Sequence, residues 1–367
     1  MQPVYLLITP AMRSYRISFL LVTLTLLFSC ETEFDVTADW EEVTVVYGLL
    51  DQHEPFQYIK INKGFLGEGN ALSMASEQDS SNYPYKLKVK IEEYDGDQIN
   101  LIRTIDFDTI HVMKEGGIFP EEQVIYKSQP VQPLDTNYLG DITWLEQDHY
   151  YKLVIDNPVT GKQITSGTEL VEDFEITKPG FQTEINFKFD QNTQDIKQSF
   201  EWDKSANGAR YEFRLDFIFD EVDAATLDTI TRTINISSVT LFPSASQSSV
   251  LFKVAHKDFY ENCLNKIPYE DPAKEENVES RLHGFVDVVV AVATEDYNNY
   301  ISVYEPSQTI VQEKPLYTNI ENGIGIFSSR FVNVKTKKVN NENLCYLNDY
   351  SLEIHGVDKD LKFFCDN

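Results

Sequence analysis

Ala209-Arg-Tyr-Glu-Phe-Arg-Leu-Asp-Phe217 sets Tyr211, Phe213, Leu215 and Phe217 at every second position, with a charged residue in each gap. Side chains of a strand alternate between two faces, so this stretch predicts a strand with one aromatic face in a core and one charged face in water. The same period of two recurs on either side. Ser199-Phe-Glu-Trp-Asp203 precedes it across a short turn at Gly208, and Ile185, Phe187 and Phe189 alternate with polar residues further upstream. Downstream, Phe285 to Ala293 is almost continuously apolar and β-branched, the pattern of a central strand buried on both faces.

The first half obeys the same rule. Lys86-Leu-Lys-Val-Lys-Ile91 and Tyr58-Ile-Lys-Ile-Asn62 alternate as half-buried strands do. Val43 to Leu50, followed by the turn residues Asp51-Gln-His-Glu-Pro55, makes an opening hairpin with the Tyr58 strand; Tyr150–Asp156 and Gln163–Leu170 make a second across Asn157-Pro-Val-Thr-Gly161. Leu66 to Pro84 and Met113 to Asp135 are rich in turn formers and are expected as long surface loops. Two segments have helical spacing. Lys257 to Lys266 shares a face among Phe259, Cys263 and Ile267, and Thr294 to Tyr304 does so among Tyr297, Tyr300, Ile301 and Tyr304. With Val171 to Pro179 as linker, the expectation is an all-β chain. It has two antiparallel β-sandwich domains, residues 43–172 and 173–367, the second with one or two short inserted helices.

The N-terminus speaks to location. Arg13 and Arg16 precede an apolar run from Ile17 to Phe28, the layout of a signal peptide over residues 1–29 and too short to span a bilayer. Leu27-Phe28-Ser29-Cys30 resembles a bacterial lipobox, which implies that Cys30 is the lipid-attachment residue and that residues 30–42 form a tether. Glu31, Glu33 and Asp35 follow at once, a cluster similar to the surface-export signals of Bacteroidetes lipoproteins. The expected address is the outer membrane, held by lipid and facing the cell surface.

Fifty-nine acidic against 31 basic residues give a net charge of −28, spread along the chain. Phosphate backbones attract clustered Lys and Arg, so nucleic acid is excluded as a partner. Oxidising surroundings favour one disulfide among the three cysteines left after Cys30. Cys345 and Cys365 share the terminal segment and are the expected pair, leaving Cys263 as a thiol.

Val45-Val-Tyr-Gly-Leu-Leu50 with Pro55, and Tyr317-Thr-Asn-Ile-Glu-Asn-Gly-Ile-Gly-Ile-Phe327, resemble the DUF4249 family of Bacteroidetes lipoproteins across the mature chain. Asn322-Gly323 and Gly325 are expected to form a buried turn before a core strand, in preference to a ligand loop. Phe200-x-Trp202-Asp203 followed by Tyr211-Glu-Phe213 resembles the first strands of fibronectin-type-III sandwiches. These resemblances imply location and class, and carry no catalytic residues.

The spacings that catalysis needs are absent: no zinc helix, nucleophile elbow, phosphate loop or dinucleotide glycine pattern occurs. His53, His111, His149, His256, His283 and His355 are scattered, and Glu92-Glu93 fall on opposite faces of a strand, so neither a metal nor a glycosidase pair is expected. The expected function is that of a binding or accessory envelope lipoprotein without enzymatic activity or cofactor. Its partner is a peptide, a glycan or, by analogy, a TonB-dependent transporter; a structural or adhesive spacer is the alternative.

Overall fold

The structure, a computed structural model, describes residues 43–64, 82–113, 122–131, 135–136, 142–187, 196–304, 317–356 and 360–365. The chain divides into Met1–Glu41, which lies outside the described residues together with Cys30, and a body Glu42–Asn367.

The first strands of the body are β1 (Val43–Leu50), β2 (Tyr58–Gly64), β3 (Lys88–Tyr94), β4 (Leu101–Met113) and β5 (Glu122–Ser128). A two-residue pair, β6 (Asp135–Thr136) and β7 (Ile142–Thr143), precedes β8 (Tyr150–Asp156) and β9 (Gln163–Glu169). Then come β10 (Ile176–Lys178), β11 (Glu184–Ile185), β12 (Lys197–Asp203), β13 (Arg210–Asp223), β14 (Thr229–Leu241) and β15 (Ser249–Ala255). Helices α1 (His256–Lys266) and α2 (Pro272–Glu276) lead to β16 (Val278–Ala293), α3 (Glu295–Tyr304), β17 (Gly323–Val339) and α4 (Asn341–His355). The body is thus mostly β.

One large sheet runs β14-β13-β16-β17-β1-β2-β5-β4-β3-β8-β9, with β11 added on β17, and a small one runs β10-β12-β15. The strand at its centre, β17, serves two neighbours in succession. Gly323–Ser329 pairs with β1, and Arg330–Lys338 pairs with β16. At the far edge β9 is not left open: Thr165 and Glu321, just ahead of β17, exchange backbone hydrogen bonds of 3.3 and 2.8 Å. Strands β1 to β5, β8 and β9 therefore close on themselves.

The closed part surrounds one hydrophobic cluster, built from Val46, Ile59, Ile91, Phe107, Leu153 and their neighbours between residues 46 and 170, with Ile320 and Phe327 reaching in from the far end of the chain. The second cluster begins at Val171 and is aromatic. Tyr211, Phe213, Leu215 and Phe217 all turn inward as their alternation predicts; Trp202 of the small sheet stacks on Phe213 at 5.7 Å, and Phe187 on Phe259 at 4.2 Å. Each such side chain contributes roughly 1.5–3 kcal/mol of transfer free energy. Phe189 lies outside the described residues, as do residues 65–81 of the first expected loop.

Three expectations need correction. The large sheet is mixed, because β1–β17 and β11–β17 run parallel. Parallel pairs call for cover on both faces; Gly325–Ser329 is buried throughout, and Tyr300 of α3 meets Tyr47 of β1 edge-on at 6.3 Å. Second, Glu122–Ser128 is a strand between β2 and β4 rather than part of a loop, since its run Val124-Ile125-Tyr126 hides an alternation in which only Tyr126 and Ser128 are buried. Third, the described residues hold four helices, and α4 is 15 residues long. Asn340 caps it by accepting from Glu342 N, Gly356 ends it at φ 66°, and Leu344, Leu347 and Tyr350 form its buried stripe.

Candidate functional site

The hairpin β8–β9 has a core face and an outward face. Tyr151, Leu153 and Ile155 point into the first cluster, so Tyr150 and Lys152 point out, opposite Glu169 and Gly167 respectively. Tyr94 of β3, paired with Tyr150, joins them on that face. Gly167 decides the arrangement. A Cβ there would stand 1.7 Å from the Tyr150 hydroxyl, so the ring lies across the space that only a glycine leaves open.

Two polar hollows meet at Tyr150 and Gly167. One, about 630 Å³, is walled by Glu169, the turn Asn207-Gly208 and the start of α3, including Thr294, Glu295, Asp296 and Asn299. The other, about 510 Å³, adds Tyr94, Gln98, Lys152, Asn319 and Glu321. Together they make a groove along the seam of the two hydrophobic clusters.

Tyr317–Phe327 supports this groove. Asn319 donates to Asp296 Oδ2 (3.1 Å) and to Phe327 O (2.7 Å), accepts from Phe327 N (3.0 Å), and receives Ser166 Oγ on its carbonyl at 2.8 Å. Asp296 also accepts the Tyr317 hydroxyl, and burial together with that carboxylate pushes the Tyr317 phenol up to about 12. Glu321 accepts from Thr165 at 2.7 Å. Burial, then Glu169, Asp296 and Glu321, raise Tyr150 above the usual phenol range, keeping its hydroxyl a proton donor. Asn322 at φ 58° turns the chain, exposed in place of the expected buried turn, while Gly325 at φ 116° already belongs to β17, with Ile326 and Phe327 buried behind it. One segment thus both turns the chain and presents Asn319 and Glu321 to the groove.

An aromatic ring framed by fixed carboxylates, amides and hydroxyls can accept hydroxyl or ammonium hydrogens from a ligand and cover an apolar face of it. None of the six histidines lines it. His149 Nδ1 instead lies 2.7 Å from the buried Glu93 carboxylate, which Arg103 also engages, while Glu92 takes Lys90 and Tyr94 on the other face of β3. His53 sits 2.8 Å from Asp173, His111 pairs with Glu122, and His355 with Glu261. Among the described residues no three His, Cys, Asp or Glu side chains converge as metal ligands, and no helix is long and apolar enough to cross a membrane. Cys345 and Cys365 are joined, with Cα atoms 5.5 Å apart, and Cys263 is a buried thiol. Cys30 is not among the described residues.

The groove residues Tyr150, Glu169 and Asp296 escape a reading by motif, while Asn319 lies in the Tyr317–Phe327 motif, whose sequence reads as a turn in preference to a ligand loop. The local signal for Tyr150 is Gly167 inside a strand, which marks a close approach. Compared with known proteins, the sequence matches no protein-family model and no curated protein.

Proposed function

We propose that the chain is an exported envelope lipoprotein, anchored through Cys30 at the outer membrane and facing the cell surface, that binds a polar ligand in the groove over Tyr150. The observation that carries this reading is the seating of Tyr150 on Gly167 where two polar hollows meet. A ring held over a glycine, with buttressed carboxylates and amides around it, suits a glycan or peptide, whose apolar face stacks while its hydroxyls or amides bond. The resemblance to DUF4249 lipoproteins supports the location, and a TonB-dependent transporter is the proposed neighbour by analogy. The reading includes no chemical step: the described lining of the groove offers donors and acceptors, with no activated nucleophile among the described residues. The layering of the small sheet on the second cluster supports a sandwich of the fibronectin-type-III kind for that half, joined to the closed first half by the large sheet.

Thermal unfolding in the presence of glycan fragments and short peptides tests the proposal. A ligand at a hundredfold excess over its Kd stabilises the native state by about 2.7 kcal/mol. Stabilisation by members of one ligand class, lost in Tyr150→Ala, is the expected result. A flat response across both panels would favour a spacer or adhesive role instead.

A further inference from the structure

A second hollow lies on the other cluster, where α1 ends, α2 begins and the C-terminal strap returns. Arg281 on β16 is fully buried. Its Nε donates to Glu221 at 3.1 Å, Nη1 and Nη2 each to Glu275 at 2.9 Å, and Nη1 also to Leu361 O at 2.8 Å. Lys362 Nζ is likewise committed, to the carbonyls of Glu275 (3.1 Å) and Val278 (2.6 Å). The Tyr269 hydroxyl donates to Glu221 at 2.7 Å, and the Arg232 guanidinium lies 4.3 Å from the centre of its ring. These bonds fix α2 and the strap, which pairs Phe363 with Arg281 and is tied to α4 through Cys365.

The space left between them is about 580 Å³, with Leu264, Pro268, Tyr269, Pro272 and Leu361 as its apolar walls. Glu270, Glu276 and Asp360 stand exposed at its rim, and none of the three forms an ion pair with a described residue. Lys362, the cation of the described lining, turns its ammonium to backbone carbonyls. The hollow therefore combines apolar walls with an unbalanced negative rim. A neutral apolar ligand would leave that rim unused, and a compact cation would leave the walls bare. A cation on an apolar stem, beside a second apolar side chain, satisfies both.

We infer that this hollow docks a basic peptide segment, an Arg or Lys meeting Glu270, Glu276 and Asp360 while a neighbouring apolar side chain rests on Pro268, Tyr269 and Leu361. The site is separate from the groove over Tyr150 and shares no wall with it.

The test is titration of the full chain into fluorescein-labelled acetyl-Leu-Arg-Leu-Arg-amide, read by polarisation, with acetyl-Leu-Glu-Leu-Glu-amide as the charge-reversed probe. The Arg peptide is expected to bind saturably and the Glu peptide not to bind. Reversing two exposed rim charges, Glu270→Lys with Glu276→Lys, should weaken binding at least about tenfold, since like charges brought together cost more than the 1.4 kcal/mol this represents. Their exposure keeps folding out of the comparison, and an unchanged unfolding midpoint checks this. Glu54→Lys, an exposed charge that lines neither hollow, controls for general attraction to an acidic surface. Absence of saturable binding, equal binding of both peptides, or a loss that follows Glu54→Lys in place of the rim pair would each overturn the inference.

Discussion

Gly167 and Gly325 both admit a close neighbour, but the neighbours differ in what they can do. At Gly167 the intruding atom is the Tyr150 hydroxyl, the end of a side chain that can swing away. At Gly325 it is the Val46 carbonyl, 2.0 Å from the Cβ position, on a strand held by its ladder, and φ there is 116°. Gly167→Ala is therefore expected to keep its denaturant midpoint close to that of the parent while abolishing ligand-induced stabilisation, because the ring loses its seat. Gly325→Ala should lower stability by about 1–3 kcal/mol or more in the same denaturation series, since strained backbone and a backbone clash have no side-chain escape. If Gly167→Ala binds as the parent does, Tyr150 is not held where the groove needs it.

At the scale of elements, the strap and α4 depend on a crosslink that spans 20 residues of sequence between Cys345 and Cys365. Closing a loop of that size contributes about 3 kcal/mol. Cys345→Ser with Cys365→Ser should lose that much, and protease should cut residues 360–365 before any strand of the large sheet; a variant whose strap resists cutting would show that Arg281 and Asn348 hold it unaided. These elements also show what a sequence carries. Alternation placed Tyr211 to Phe217 and Leu87 to Ile91 on their correct faces, and turn residues placed the two hairpins, because burial of one strand face and a short turn are local properties. Pairing is not local: nothing in Val43–Leu50 names Gly323–Ser329, more than 270 residues on, as its parallel neighbour. The strand Glu122–Ser128 hid behind three apolar residues in a row, and α4 behind asparagines that serve as cap and anchor, Asn343 accepting from Phe187 N and Asn348 bonding both the amide and the carbonyl of Phe363. The groove was illegible for the same reason as the parallel pair, since β8, β9, α3 and Tyr317–Phe327 meet only after the large sheet has closed.

Taken whole, the molecule sets buried ion pairs against a diffuse charge of −28, and the two respond oppositely to acid. Burial resists ionisation of Glu221 and Glu275, yet hydrogen bonds and cations around each outweigh it and hold both carboxyls below their ordinary values. Groups lowered in this way stabilise the fold above their unfolded pKa, and that stability is lost as pH falls through the folded pKa. Acid also relieves the mutual repulsion of surface carboxylates, but salt screens that term over about 8–10 Å and leaves buried pairs largely untouched. In about 0.15 M salt, unfolding midpoints are thus expected to fall steadily from about pH 5 to pH 3, and at low salt to rise first. A midpoint that rises throughout in salt would mean that repulsion, and not these pairs, governs stability. The same charge bears on the proposed location: an acidic body gains nothing from anionic headgroups, so the proposed attachment rests on the lipid proposed at Cys30. Cys30→Ser is therefore expected to release the whole body from membranes in one step, with the wild type labelled by antibody on intact cells and shaved by added protease. Retention of the variant on washed membranes would show a second attachment and remove the lipid from its proposed role, whereas a wild type protected on intact cells would turn the groove toward the periplasm.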